Sequence, residues 1–387
     1  MLSKEIQNKF KAVRKQFPVT RKKKGITYFN CASTGPLSLS TRKALDEYYD
    51  YSFYVDRGID HDAFAALDGI RKIGAKFIGA RIDEVGFGFH TGYGLNIAAF
   101  GLPLKPGDEV LLSDNEFPSN VYPWVALKQR GIKVKFIKSK NGFFDIDNFV
   151  KAISRKTKVL SLSFVQFFNG YKNDLSKIGA ICKDRGIYFV VDGIQGCGVE
   201  TINMHKIQID IFSSGAQKWM LSPLGTGFFY VRKELQNNIR MPFASWLSVD
   251  WGLNFTDLFH YDLPFFDSAR RFEFGTYPYA HVFALYQSML LIDSLGVSNI
   301  QKHNHELLDK LIDYLKSNSR FEIKSSLINK HRSSILSFTC PEVKKVYRQL
   351  SNAKIICSLR EGAIRIAVHL YNNESDIKKL ITVLDKS

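Results

Sequence analysis

Two residues of opposite charge stand out for what they could do together. Asp192 closes the apolar run Ile187-Tyr188-Phe189-Val190-Val191, and Lys218 follows 26 residues later in Ser213-Ser214-Gly215-Ala216-Gln217-Lys218-Trp219. An acid at the carboxyl end of a buried strand lies where α/β sheets place their ligands. A lysine set among apolar and small residues loses its charge by desolvation. The neutral amine can then condense with a carbonyl to form a Schiff base, while the acid can keep a ring nitrogen protonated. A third segment, His90-Thr91-Gly92-Tyr93-Gly94, leads into Leu95-Asn96-Ile97-Ala98-Ala99-Phe100. Small residues opening a helix leave free N–H groups that can hold a phosphate. Arg365 sits inside the apolar run Ile364-Arg365-Ile366-Ala367-Val368, where a charge needs a partner or a ligand. Each of these also has a plainer reading: a solvated lysine, a helix-capping turn, an arginine paired with a protein carboxylate.

Such residues need a scaffold. Short apolar runs recur at Glu109–Ser113, Lys133–Ile137, Val159–Ser163, Ile187–Val191 and Gly227–Val231. Helical stretches separate them, at Tyr122–Arg130, Ile146–Ile153 and Leu175–Arg185. The strand runs are apolar without alternation, as strands covered on both faces are. Strand and helix in turn predict βαβ units and a mainly parallel sheet. Beyond it, helices are expected at Tyr279–Leu295 and Ile300–Leu315. The chain closes as strand, helix, strand, helix at Ser334–Thr339, Lys344–Leu350, Ala363–Val368 and Ser375–Leu384. Near the start, Phe10, Val13 and Phe17 fall on one helical face that must pack on something.

The 387 residues are 45% hydrophobic and 24% charged, enough apolar material for a sizeable core. The net charge of +17 is spread along the chain. It is densest at the N-terminus, where Lys4, Lys9, Lys11, Arg14, Lys15, Arg21, Lys22, Lys23 and Lys24 face Glu5 alone. No zinc-finger spacing or RNA-binding signature accompanies it, so a lysine-rich surface is favoured over a nucleic-acid role. Cys31, Cys182, Cys197, Cys340 and Cys357 are odd in number and far apart, against a disulfide framework or a metal site. No apolar run is long enough to span a membrane, and the basic N-terminus lacks the apolar core of a secretory signal. A cytoplasmic protein without a metal is expected.

In chain order the segments Asn30–Leu37, Thr91–Asn96, Glu116-Phe117-Pro118-Ser119-Asn120, Ser163–Gly170, Val191–Gly196, Gln217-Lys218-Trp219, Arg271–Thr276, and Arg365 with Tyr371-Asn372 resemble those of the class V aminotransferase group of fold-type-I pyridoxal-phosphate enzymes. That group includes cysteine desulfurases, kynureninases and isopenicillin-N-epimerase-like proteins. The resemblance runs from residue 28 to about 380. It implies an α/β fold: a three-layer large domain around a mainly parallel, seven-stranded sheet and a smaller C-terminal α+β domain. The expected division is 1–27 as a segment packing on the small domain or a partner, 28–270 as the cofactor-binding domain and 271–387 as the small domain.

The resemblance also implies roles. Lys218 would carry pyridoxal 5'-phosphate as a Schiff base and shuttle the substrate's α-proton. Asp192 would pair with the pyridinium nitrogen, Gln195 would contact the phenolic oxygen, and Phe117 would stack on the ring. Thr91, Gly92, Tyr93 and Gln217 would hold the phosphate, with Gln166 and Ser214 also lining the cofactor. Thr276 would reach the cofactor of a second subunit, which requires a homodimer with shared sites. Arg365, with Ser33, would bind the carboxylate of a small amino acid. The reaction would be that of an aminotransferase or a C–S/β-elimination lyase working through an external aldimine. A racemase or epimerase is the alternative, and a non-catalytic cofactor-fold protein or a basic nucleic-acid-associated adaptor is the alternative of another class. A desulfurase needs a mobile nucleophilic cysteine. Cys357 instead stands in an apolar run only eight residues before Arg365, and Cys31 reads as a small packed residue.

Overall fold

The computed structural model describes residues 2–21, 25–55 and 58–386; Lys22, Lys23 and Lys24 of the basic segment lie outside the described residues. Among the described residues the strands are, in chain order, β1 Thr27–Tyr28, β2 Val85–Gly88, β3 Glu109–Ser113, β4 Lys133–Ile137, β5 Thr157–Ser163, β6 Tyr188–Asp192, β7 Ile211–Gly215, β8 Gly227–Val231, β9 Glu322–Ile323, β10 Ile335–Thr339, β11 Ile355–Ile356, β12 Ser358–Arg360 and β13 Ala363–Ala367. Seven of them form the central sheet in the order β2-β8-β7-β6-β5-β3-β4. It is parallel except that β8 runs against both of its neighbours.

Both faces of this sheet are buried, which explains the unbroken apolar runs. Val110, Leu112, Val159, Val190, Ile211 and Phe229 point into one apolar cluster, together with Leu95 and Ile97 of the helix Thr91–Gly101. Their strand neighbours Leu111, Leu160, Phe189, Phe212 and Phe228 point into the other. There they meet the helices Asp60–Ile78, Leu175–Asp184 and Tyr279–Leu295. The result is three layers, α/β/α, as the sequence leads one to expect.

A second sheet, β12-β13-β10-β9, is antiparallel throughout. Leu336, Phe338, Ile364 and Ile366 from it pack with Leu307, Leu311 and Leu315 of the helix Val297–Ser317 and with Ile377 and Leu380 of the helix Glu374–Asp385. The N-terminal helix Lys4–Arg14 docks on these helices. Phe10 stacks on His303 with ring centroids 4.2 Å apart, and Arg14 pairs with Asp376 at 2.7 Å.

Segment Asn30–Gly35 ties the two sheets together beside the centre of interest. β1 pairs in parallel with β11, and Asn30 bridges to Ala367. Gly35 N–H then donates to the Gln217 carbonyl at 2.8 Å. A Cβ on Gly35 would lie 2.2 Å from the Lys218 carbonyl oxygen, so only glycine lets the two backbones approach this closely.

A buried ion pair pins another long-range contact. Arg71 forms two bonds to Glu273, 2.9 Å from Nε and 2.7 Å from a terminal nitrogen, and the Phe87 N–H donates to the same carboxylate at 2.8 Å. Glu273 is fully buried, whereas Asp68, the second partner of Arg71, is exposed. Glu273→Leu strands a buried guanidinium and is expected to lower the unfolding free energy by about 3–5 kcal/mol. Asp68→Asn removes a surface partner and is expected to cost less than about 1 kcal/mol. Urea unfolding followed by tryptophan fluorescence measures both.

Candidate active site

The carboxyl ends of β5, β6 and β7 bring Ser163, Asp192 and Ser213 side by side as register partners. Asp192 is buried, and one of its oxygens accepts the Ile194 N–H at 3.0 Å. Burial pushes its proton affinity well above that of an ordinary carboxyl, and the neighbouring Glu116 adds to the rise, while the Ile194 N–H and the Lys218 charge oppose it. Lys218 lies just past β7 on the same rim. Burial holds its amine below the usual lysine range; Arg365 and Arg360 push the same way, and Asp192 pulls back. The Lys218 nitrogen stands 5.5 Å from the centroid of the Phe117 ring, which packs edge-on against Phe167.

Arg365, on β13, reaches the same place from the other sheet. Its Nε donates to the Ser358 hydroxyl at 3.1 Å and one terminal nitrogen donates to the Ser33 hydroxyl at 2.8 Å; the other donates to the Phe167 carbonyl. All three acceptors are neutral. Among the described residues no carboxylate lies within ion-pair distance of this buried guanidinium, which removes the protein-carboxylate reading of the sequence.

At the start of the helix Thr91–Gly101, the N–H groups of Thr91 and Gly92 have no intrahelical partner. The Thr91 hydroxyl accepts the Gly215 N–H at 2.9 Å, and the Ser213 hydroxyl donates to the Thr91 carbonyl at 2.7 Å. A Cβ on Gly215 would sit 2.5 Å from the Gln217 carboxamide oxygen and 3.3 Å from the Thr91 hydroxyl. That Gln217 oxygen is buried without a hydrogen-bond partner, and so is the carboxamide oxygen of Gln166. The unpartnered Gln217 amide and the free N–H groups of the helix start form a polar cradle that the chain itself does not fill.

Residues 27–380 match the family model described as aminotransferase class-V. The chain belongs to this family. An uncharacterized aminotransferase of Schizosaccharomyces pombe is 27% identical over 98% of the chain and 96% of the relative. A probable cysteine desulfurase of Pyrococcus abyssi is also 27% identical, over 97% and 96%. The solved cysteine desulfurase of Thermococcus onnurineus NA1 superimposes with a TM-score of 0.85 at 24% identity, with 97% of each chain covered, a likeness of fold. The protein is accordingly a pyridoxal-phosphate-dependent enzyme of the transferase or lyase kind. Its residues fit that cofactor: a sheltered amine, an acid at a strand end, an aromatic ring beside the amine and a helix start with free N–H groups.

In this class-V enzyme the expected residues divide into two groups. Thr91, Gly92, Phe117, Gln166, Asp192, Gln195, Gln217, Lys218, Ser33 and Arg365 gather at the rim of the sheet. Gln195 is held at both ends, donating to the Ala32 carbonyl at 3.1 Å and accepting the Trp219 indole N–H at 2.9 Å. Its second amide hydrogen stays available. Tyr93 and Ser214 are engaged elsewhere. The Tyr93 N–H donates to the His90 carbonyl and its hydroxyl to the Phe272 carbonyl at 2.6 Å. The Ser214 hydroxyl, on the strand face opposite Ser213, donates to the Gly215 carbonyl at 3.2 Å. Thr276 is exposed on the surface.

Glu116, quoted only as part of a motif, proves central. It is buried and accepts four bonds, from the Ser163 N–H and hydroxyl, the Gln166 amide and the Asn120 amide, at 2.5–3.0 Å. Ser358, the anchor of Arg365, carries no sequence signal at all. Cys31 donates to the Lys218 carbonyl at 3.4 Å, and burial holds its thiol well above the usual range. The same cause lifts the Cys357 thiol to about 12.

The depressed amine makes a prediction. In cofactor-free enzyme, Lys218 is expected to be labelled by a small aldehyde with borohydride at a pH well below that needed for exposed lysines. Asp192→Asn removes the charge that raises the amine, so the midpoint moves lower still. Mass-spectrometric peptide mapping across a pH series reads both; a midpoint matching exposed lysines contradicts the burial argument.

Proposed function

We propose that the enzyme acts on a small amino acid, as an aminotransferase or as a C–S/β-elimination lyase. The observation that carries this reading is the pairing of two sheltered basic groups: a Lys218 amine with lowered proton affinity and an Arg365 guanidinium bonded only to neutral oxygens. Pyridoxal phosphate, when bound, supplies a reactive carbonyl and an electron sink for charge developed at the α-carbon. The chain does the rest. The Thr91 and Gly92 N–H groups and the Gln217 amide N–H would hold the phosphate, and Phe117 would cover the ring. Asp192 would pair with the ring nitrogen, and the free hydrogen of Gln195 would serve the phenolic oxygen. Arg365 and Ser33 grip the amino acid's carboxylate through a planar fork. Lys218 would hold the cofactor through its carbonyl, and its neutral amine would be the base for the substrate's α-proton.

Several features support the finer parts of the reading. Cys31 and Cys357 are buried thiols with raised proton affinity, which favours transamination or elimination over attack by a protein thiolate. Thr276 follows Gly275, whose φ is +80°, and is exposed together with Phe274, which supports a homodimer in which Thr276 reaches the partner's phosphate. The separate apolar core around Leu311 and Ile364 supports a small C-terminal unit within 271–387 beside the cofactor unit of 28–270; the helix Tyr279–Leu295, packed on the larger core, would join them. Five buried free cysteines support a reducing, cytoplasmic setting. Among the described residues no single helix is long and apolar enough to cross a membrane.

The test is spectroscopic. Purified enzyme should show a visible cofactor band that Lys218→Ala abolishes; a band that persists unchanged removes Lys218 from its role. Amino acids added singly should shift the band, and release of keto acid, ammonia or sulfide then separates transamination from elimination. Arg365→Gln is expected to keep the band but to need about 10–100-fold more amino acid for the same shift.

A further inference from the structure

β12 and β13 form a hairpin whose turn is as short as a hairpin allows. Arg360 pairs with Ala363, and the two residues between them, Glu361 and Gly362, have φ of 45° and 75°. Two successive positive φ values make the tight turn whose twist suits paired strands. The turn therefore fixes Arg360 at a strand end and leaves no long loop over the site.

The register sets where Arg360 faces. Side chains alternate along a strand, so Ser358 and Arg360 share a face. Arg365 is the register partner of Ser358, and its Nε reaches the Ser358 hydroxyl at 3.1 Å. Arg360 and Arg365 thus emerge on one face of one hairpin. The Arg360 charge acts on both residues that hold the reacting amino acid, lowering the proton affinity of Lys218 and of Arg365. Arg360 itself is exposed and donates to its own neighbour, the Leu359 carbonyl, at 3.1 Å. Among the described residues no carboxylate lies within ion-pair distance of it. Arg360 and Arg365 therefore face this region, while Asp192 and Glu116 are buried and hold their protons more tightly than usual. One substrate carboxylate on Arg365 leaves Arg360 without a carboxylate partner.

We propose that Arg360 is a specificity-determining residue that pairs with a second anionic group, so that the preferred substrate is an amino acid with an acidic side chain. The proposal rests on the functional reading above and names its substrate class. Arg365 takes the α-carboxylate, as there. Arg360, two residues further along the hairpin face from the Ser358 anchor, takes the side-chain carboxylate at the solvent-facing mouth. Its exposure and the weak hydration of a guanidinium keep the cost of desolvating a second charge small, and its fixed strand position gives the contact direction.

Isosteric pairs test it. Aspartate against asparagine and glutamate against glutamine are titrated into the cofactor-loaded enzyme, and the half-saturating concentration is read from the visible band. The acid of at least one pair is expected to bind about tenfold tighter or better than its amide. Arg360→Gln should bring that ratio close to one, and Arg360→Lys should restore part of it. Succinate, which has no amine to react, should raise the melting temperature of the wild type more than butyrate does, and not in Arg360→Gln. Ratios near one in the wild type, or a preference that survives in Arg360→Gln, overturn the proposal. If alanine and asparagine shift the band as well as aspartate does, the enzyme reading stands and the acidic-substrate proposal falls. If no amino acid shifts it, both fall.

Discussion

The whole arrangement depends on keeping water from one amine. An exposed lysine is protonated at neutral pH and cannot act as a nucleophile. Lys218 escapes that fate because the last turn after β7 is covered from two directions. Gly35 lies against its carbonyl, and Cys31 donates to the same oxygen. Phe117 stands over the amine itself. The cover comes from segments distant in sequence, so the amine's chemistry is a property of the closed fold. Arg360 and Arg365 add repulsion from the same side, and Asp192 limits the effect.

Burial of charge is a recurring cost here, and the chain offsets it with dense hydrogen bonding. Glu116 accepts four bonds within the site. Glu200, fully buried, takes Lys172 at 3.0 Å, Gln301 at 2.9 Å and both the N–H and the hydroxyl of Ser334 at 2.9 Å. Those donors come from the loop after β5, from the residue just before β10 and from the helix Val297–Ser317, so one carboxylate ties three distant segments together. Glu273 does the same work on the far side with Arg71 and Phe87. By contrast, the unpaired amide oxygens of Gln166 and Gln217 and the carboxylate-free Arg365 lie at the rim. There they can meet a ligand.

Much of the fold was legible. Strands β3, β4 and β8 coincide with apolar runs, and the helix Tyr279–Leu295 with its expected span. Strand β7 was harder, because Ser213, Ser214 and Gly215 extend it past its apolar start. These small residues make room for Thr91 and Gly94 instead of supplying hydrophobic signal. β2, Val-Gly-Phe-Gly, was missed for a similar reason: the space over Gly86 belongs to the ring of Phe229. The helix Asp60–Ile78 also went unread, although its apolar face carries Leu67, Ile70 and Phe77.

By itself the sequence determined the kinds of group available and their order: an amine, a strand-end acid, a glycine-opened helix and an arginine within an apolar strand. Those depend on residue type and local periodicity, which the chain carries in every short window. Only the tertiary structure decided which of them meet. Ser33 and Arg365 are 332 residues apart and bond at 2.8 Å, whereas Tyr93, one residue from Gly92, is turned away to Phe272. Side-chain direction and hydrogen-bond occupancy follow from strand register and from neighbours brought in by distant crossings. No local window holds that information, so the partners of Arg365, the orphaned amides and the placement of Arg360 appear only once the sheets are assembled.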